Sequence, residues 1–245
     1  MRKKGEKMKK VLALVLIIAT LALAMVSCFD TPTTPEFDPN VKSEGTMTYA
    51  EYVAAALDAE VVIEGFVQAK QSWWDNKATI YLQDGDGAYF VYELACTEAE
   101  YAKLVNGTKI KVTGYKTEYH GEIEVDSGAT FEIIESESWI APATDVTALL
   151  GKEEIVNKQN MFVCFKGMTV KSISYKGDAP GDDIYVTLTK DGVDYSFCVE
   201  RYLTDPDTVV YKAVQALNAG DVIDVEGFLY WYDGINPHIT NVTVK

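Results

Sequence analysis

Aromatic side chains stand beside amide and carboxylate side chains in three polar segments of this 245-residue sequence. A flat apolar face next to hydrogen-bonding groups is what a stacking site for a polar ligand requires. We therefore expect these segments to contact a ligand. The alternative is that the large aromatics fill the ends of a folded core, because such side chains are highly buried on average. The candidate residues are Trp73, Trp74, Tyr119, His120, Tyr230, Trp231 and Tyr232.

The residue sets that catalysis requires are not found in this sequence. Its two histidines, His120 and His238, have no neighbouring His or Cys that could complete a zinc site or an acid–base pair. Asp84-Gly85-Asp86-Gly87 lacks the remaining ligands of a calcium loop and is typical of a hairpin turn. No serine elbow, phosphate-binding loop or HExxH motif occurs. We expect a binding protein that is not an enzyme and needs no metal or cofactor.

The N-terminus has the pattern of an exported protein. Six basic residues precede position 11, Val11 to Val26 are uncharged, and Ser27-Cys28 follow. This apolar run is shorter than the ~20 residues of a spanning helix. An uncleaved anchor helix is the alternative interpretation. Either way, the rest of the chain is expected outside the cytoplasm.

Met25-Val26-Ser27-Cys28 resembles a bacterial lipobox. The resemblance implies that Cys28 is lipidated and becomes the first residue of a mature lipoprotein in the cell envelope. Two or more acyl chains anchor a protein stably in a membrane.

The charge disfavours a nucleic-acid partner. The net charge is −15, and without residues 1–28, which hold six of 22 basic and one of 37 acidic residues, it becomes −20. Single-strand binders combine stacking aromatics with a positive groove. Lys109, Lys111 and Lys116 form the one candidate stripe of positive charge, with Lys109 and Lys111 on one strand face.

Three cysteines remain beyond Cys28: Cys96, Cys164 and Cys198. At most one disulfide within the chain is compatible with this number, and all three pairings stay open. Cys164 and Cys198 lie in the same half of the chain. The alternative is three buried thiols, a common state of cysteine.

The order of predicted elements repeats after residue 138. Residues 29–46 are rich in Pro and Thr and predict an acidic tether. Residues 47–138 and 139–245 then each contain a short helix, three strands, a second helix and two strands. In the first half, Thr48 with Glu51 and Thr97 with Glu100 have capping-box spacing. In the second half, Pro206 to Leu217 predicts the middle helix, with Asp205 as its N-cap.

Three strands, a helix and two strands is the order of the OB-fold, a five-stranded Greek-key barrel. The segments YLQDGDGAYFVY and LVNGTKIKVTGY resemble the OB-fold domains found beside secreted bacterial nucleases and in surface lipoproteins, and LNAGDVIDVEGF repeats the pattern. The predicted fold is therefore all-β, with two tandem OB-fold domains. A β-sandwich is the alternative, but it predicts more strands and no middle helix.

An OB barrel binds ligands on the face of strands 2 and 3, between the strand 1–2 and strand 4–5 loops. The seven candidate aromatics fall in those loops. We expect a non-catalytic module that binds an envelope glycan or protein. A single-stranded DNA binder and a scaffold subunit of an envelope complex are the alternatives.

Overall fold

The computed structural model describes residues 37–245, and the predicted signal peptide, the predicted lipobox and residues 29–36 of the predicted tether lie outside them. Residues 38–245 form one compact unit. Across the described part of the chain, no helix is long and apolar enough to cross a membrane.

The strands are β1 (Glu60–Lys70), β2 (Lys77–Gln83), β3 (Ala88–Ala95), β4 (Lys109–Tyr119), β5 (Glu122–Val125), β6 (Thr130–Ile133), β7 (Thr144–Asp145), β8 (Phe162–Tyr175), β9 (Ile184–Lys190), β10 (Val193–Val199), β11 (Val222–Phe228) and β12 (His238–Val244). The α-helices are α1 (Tyr49–Ala54), α2 (Glu98–Tyr101) and α3 (Val209–Gln215), and 3₁₀ turns cover Thr147–Leu149, Glu153–Lys158 and Lys176–Asp178.

Each of two sheets closes on itself. In the first barrel the order is β1-β2-β3-β5-β4, and β4 pairs back onto β1. In the second it is β8-β9-β10-β12-β11, and β11 pairs back onto β8. The order of the first barrel, with α2 between β3 and β4, is consistent with the OB-fold. Sheets that close individually are not the two open layers of a β-sandwich.

Alternation along the strands separates the inside of each barrel from its outside. In β2, Ile80 and Leu82 belong to the core of the first barrel, whereas Tyr81 between them points outward. In β9, Ile184 and Val186 belong to the second core, and Tyr185 points outward. The outward-facing residues of strands 2 and 3 are thus the ones available for contacts.

The helix boundaries follow their caps. Both predicted capping boxes, at Thr48 and Thr97, are present. The prediction for the third helix was wrong at its start: α3 begins at Val209, with Thr208 as N-cap, because the Thr208 hydroxyl accepts the amide of Tyr211. Asp205 instead accepts the amide of Asp207 in the preceding turn.

The last part of the predicted tether, residues 38–46, packs on the first barrel. The ammonium group of Lys42 binds the carboxylate of Asp84 and the carbonyl of Glu64. The Glu64 carboxylate in turn pairs with Lys109 at 2.7 Å, and Lys109 also donates to the carbonyl of Val41. Because these partners are largely buried, the segment is fixed to β1 and to the β2–β3 turn.

Candidate ligand-binding cleft

A cleft of about 1010 Å³ lies between the two barrels. The second barrel lines it with outward-facing residues of β9 and β10, including Tyr185 and Ser196, and with Glu200 directly after β10. The first barrel contributes Tyr92 from β3 and Glu124 from β5. Because β9 and β10 are strands 2 and 3 of the second barrel, the ligand face expected for an OB barrel opens onto this cleft.

The equivalent face of the first barrel is covered. Tyr81 of β2 is fully buried and stacks on Phe228 of the second barrel, with ring centroids 4.2 Å apart. Phe90 of β3 packs against Tyr230 at 5.3 Å. The first barrel thus uses its strand 2–3 face to hold the second barrel.

His238 connects this contact to the cleft. In the sheet, the backbone of His238 is paired with Phe228 of β11 on one side and with Cys198 of β10 on the other. Its side-chain Nδ1 lies 2.9 Å from the hydroxyl oxygen of Tyr81. Burial lowers the pKa of His238 to about 3, so the imidazole is neutral. Because the hydroxyl hydrogen of Tyr81 has no other acceptor among the described residues, we assign the hydroxyl as the donor to Nδ1 and the imidazole proton to Nε2. His238 lines the cleft and therefore offers it a donor.

Two turns, one from each barrel, meet at the edge of the cleft. His120-Gly121 and Asp233-Gly234 all have positive φ, as tight hairpin turns require. The Asp233 amide donates to the His120 carbonyl at 2.8 Å, and its carboxylate lies 3.0 Å from His120 Nδ1. The His120 ring stacks on Tyr232 at 4.5 Å. These contacts fix the position of Tyr232.

Polar groups without protein partners face or adjoin the cleft. Glu124 is 6% exposed and lines the cleft, and its carboxylate makes no hydrogen bond or ion pair with any described side chain. Burial, and then Asp126, raise its pKa to about 7. The buried side-chain oxygen of Asn236 is also unpartnered. Since buried polar groups are normally hydrogen-bonded, these two mark where a polar ligand would supply the partner.

Glu122 lies at the contact between the barrels. Its carboxylate accepts the amide of Trp231 at 2.9 Å and the side chain of Gln159 at 3.2 Å. The same Gln159 nitrogen donates to the carbonyl of Gly121 at 2.8 Å. Burial raises the pKa of Glu122 to about 8. This cluster holds the β4–β5 turn against the second barrel.

The cleft is acidic. Lys176 is the one cationic side chain among its lining residues, and it pairs with Asp183 at 3.3 Å. A cleft of this charge repels phosphate groups. The carboxylates that line it belong to Glu118, Glu124, Asp126, Asp183, Glu200 and Asp233.

Two lysines of the predicted positive stripe, Lys109 and Lys116, bind groups of the protein itself. Lys109 is buried against Glu64, which corrects the expectation that it faces solvent with Lys111. Lys116 is also buried and donates to the carbonyls of Tyr52, Val53 and Ala55 at the end of α1. Neither ammonium group is available to a phosphate.

A second depression of about 460 Å³ lies beside the tryptophans of the β1–β2 turn. Trp74 lines it and is 69% exposed. Trp73 is half-buried against the first core and donates its indole N–H to the carbonyl of Cys96 at 3.0 Å. Gln71 and Tyr92 line both this groove and the cleft.

The structure divides the seven sequence candidates into three kinds. Tyr119, Tyr230 and Tyr232 line the cleft, and His120 supports Tyr232 beside it. Trp73 and Trp74 border the separate groove. Trp231 is half-buried against the second core and approaches Gly121, so its ring packs between the barrels.

Sequence reasoning missed several residues of the cleft. Tyr185 and Tyr92 lie on strands, where alternation identifies an outward residue but not what faces it. His238 lacked a partner nearby in sequence because its partner, Tyr81, belongs to the other half of the chain. The predicted strand 4–5 loop of the first barrel began too early, because β4 continues to Tyr119 and only His120 of the two candidates there lies in the turn.

The three described cysteines are buried free thiols. Burial raises the pKa of Cys198, which lines the cleft, well above its ordinary value. Within residues 37–245, no three His, Cys, Asp or Glu side chains are grouped closely enough to hold a metal ion.

Comparison with known proteins gave structural matches alone. No family model matches the sequence, and no curated protein matches it. A murine DNA binding protein bound to double-stranded DNA is 11% identical, with 75% of this chain and 94% of that chain covered and a TM-score of 0.37. The Ifi202 HINa domain in complex with double-stranded DNA is 8% identical, with 76% and 98% covered and a TM-score of 0.35. A deletion mutant of the single-stranded DNA binding protein from Thermus aquaticus is 14% identical, with 76% and 93% covered and a TM-score of 0.25.

Proposed function

We propose that this chain is a lipid-anchored, extracytoplasmic binding protein, and that its cleft binds an uncharged envelope glycan without catalysis. The observation that supports this most is the composition of the cleft. It combines tyrosine rings with polar groups that have no protein partner, at a site with excess negative charge.

Each part of the cleft matches a property of a sugar chain. Tyr185, Tyr230 and Tyr232 present ring faces or edges against which an apolar sugar face can pack. Glu124 and Asn236 accept hydrogen bonds from hydroxyl groups, and Nε2 of His238 donates one. An uncharged ligand gains these contacts without the repulsion that a phosphate or carboxylate would meet.

The location rests on the sequence. The basic residues, the apolar run and the lipobox-like Met25-Val26-Ser27-Cys28 support lipidation of Cys28 and attachment to a bacterial membrane. We also propose that residues 47–138 and 139–245 are two tandem OB-fold domains.

Nucleic-acid binding is the second candidate function. OB barrels bind oligonucleotides, and two of the structurally similar proteins are in complex with double-stranded DNA. Against it stand the acidic cleft, the covered strand 2–3 face of the first barrel and the buried lysines. A single-stranded DNA ligand would need a positive groove as well as stacking rings.

The test uses the full-length chain in a zwitterionic detergent that has no sugar head group. Intrinsic fluorescence and calorimetry are recorded against neutral, amino-bearing and acidic oligosaccharides and against single-stranded DNA at low salt. We expect binding of a neutral oligosaccharide, weakened about tenfold by Tyr232→Ala. Tyr115→Ala, at an exposed tyrosine of β4 outside the cleft, is the control and should bind as the wild type does.

DNA binding that disappears as salt rises would select the second candidate instead. No response to any oligosaccharide or to DNA would contradict both and favour a protein partner, as expected of a scaffold subunit.

A further inference from the structure

The groove beside Trp74 continues the cleft. We propose that this groove is a second subsite, so that cleft and groove together bind one extended glycan chain across both barrels. The inference rests on the proposed function of the cleft. Its first support is continuity, because Gln71 and Tyr92 line both depressions and a ligand leaving the cleft passes over them into the groove.

Trp74 is held in a defined position although its ring is exposed. It forms a bridge with Lys77 around the two-residue turn Asp75-Asn76, where both residues have positive φ. Trp73, next to it, is anchored through its indole N–H. The Trp74 ring is 69% exposed, has the Lys77 ammonium group 5.6 Å from its centroid, and offers a stacking surface on a backbone turn of fixed geometry.

The groove also belongs to both barrels. The amide of Ser72 donates to the carbonyl of Tyr202 at 2.8 Å, and the Ser72 hydroxyl donates to the same oxygen at 3.2 Å. Tyr202, which lies after β10, is 55% exposed and lines the groove opposite the β1–β2 turn. Trp74 and Tyr202 are therefore two aromatic surfaces whose separation is fixed by the contact between the barrels.

The groove has no unpaired cation for an anionic chain. Lys77 is its one cationic lining residue, and it pairs with Glu93 at 2.7 Å. Gln71, Ser72 and Thr79 supply uncharged polar groups. Exposed rings among amides and hydroxyls fit the alternating apolar faces and hydroxyl edges of an uncharged sugar chain.

The experiment is a chain-length series on the full-length protein in the same detergent. The probes are β-1,4-linked glucose and N-acetylglucosamine oligosaccharides and any other neutral family that binds, from the disaccharide to the octasaccharide. For wild type, we expect affinity to rise with length. Trp74→Ala should weaken octasaccharide binding about tenfold and leave disaccharide binding within about twofold. Tyr232→Ala should weaken every length, and the control Tyr115→Ala none.

The outcomes separate this inference from the function on which it rests. Equal effects of Trp74→Ala on all lengths, or none on any length while Tyr232→Ala still weakens binding, would overturn the second subsite and leave the cleft as a glycan site. Wild-type affinity that does not rise beyond the shortest oligosaccharides would also overturn it. A protein that binds no oligosaccharide at any length would contradict the proposed function itself.

Discussion

The hydroxyl oxygen of Tyr81 lies 2.9 Å from Nδ1 of His238, and this contact joins β2 of the first barrel to β12 of the second. Both side chains are buried, so neither can exchange the other for water. The bond fixes which nitrogen of His238 carries the proton and so determines what the imidazole offers to the cleft.

Tyr81→Phe tests this bond. The ring and its stacking on Phe228 remain, but Nδ1 of His238 loses its donor in a buried position. We expect the free energy of unfolding to fall by about 1–3 kcal/mol, measured by urea denaturation. Tyr115→Phe, at an exposed tyrosine, should change nothing. Equal stability of Tyr81→Phe and wild type would show that the bond does not stabilise the fold.

Phe228→Ala tests how strongly the barrels depend on each other. Phe228 is 3% exposed and contacts Tyr81 and Phe162. Loss of its ring should cost about 3–5 kcal/mol and split one cooperative transition into two, since each barrel keeps its own core. Circular dichroism and tryptophan fluorescence together would detect the split. Ile133→Ala, at an exposed residue of β6, is the control, and a single unshifted transition for Phe228→Ala would contradict the prediction.

Stability should fall as the pH rises from about 5 to 8. The pKa of Glu122 is raised to about 8 and that of Glu124 to about 7, against about 4.3 in an unfolded chain. The folded protein thus holds protons that the unfolded chain has released, and rising pH favours unfolding. Glu122→Gln removes one of these groups, so its urea midpoint should decline less over this range.

Glu132→Gln is the matched control for the pH series, because Glu132 is an exposed carboxylate on β6. It should keep the wild-type slope. An unchanged slope in Glu122→Gln would mean that its carboxyl group titrates alike in the folded and unfolded states.

Thiol counting distinguishes the states of the four cysteines. For the chain made in a host that processes lipoproteins, we expect three thiols to react in denaturant without reductant, because the proposed function has Cys28 acylated and the other three cysteines are free. In the folded protein, burial should make all three slow to react. One thiol would indicate a disulfide, and four would indicate that Cys28 is unmodified.

Local sequence predicted the elements better than their contacts. The capping boxes at Thr48 and Thr97 are confirmed, because the spacing of a cap is a local signal. The helix predicted from Pro206 to Leu217 was too long, since Asp205 and Thr208 both offer a capping side chain and only the structure shows which one acts. The division into separate domains at residue 138 stays a prediction.

The candidate site could be predicted in part for the same reason. Tyr119, Tyr230 and Tyr232 line the cleft and were candidates already in the sequence, because aromatics beside polar residues stand out there. Glu124 and Tyr185 were not, because each has an ordinary strand pattern, and its meaning depends on the barrel that packs opposite. Such packing brings together residues that are far apart in the chain. The hydrophobic periodicity along one strand therefore cannot reveal it.

The covered face of the first barrel has a consequence for how the protein is made. Chains emerge N-terminus first, and domains generally fold as units in that order. Until Phe228 and His238 have followed, a newly formed first barrel exposes Tyr81 and Phe90, an adhesive aromatic surface. Folding of this protein therefore includes an interval in which its first half needs protection, and that interval ends when the second half docks.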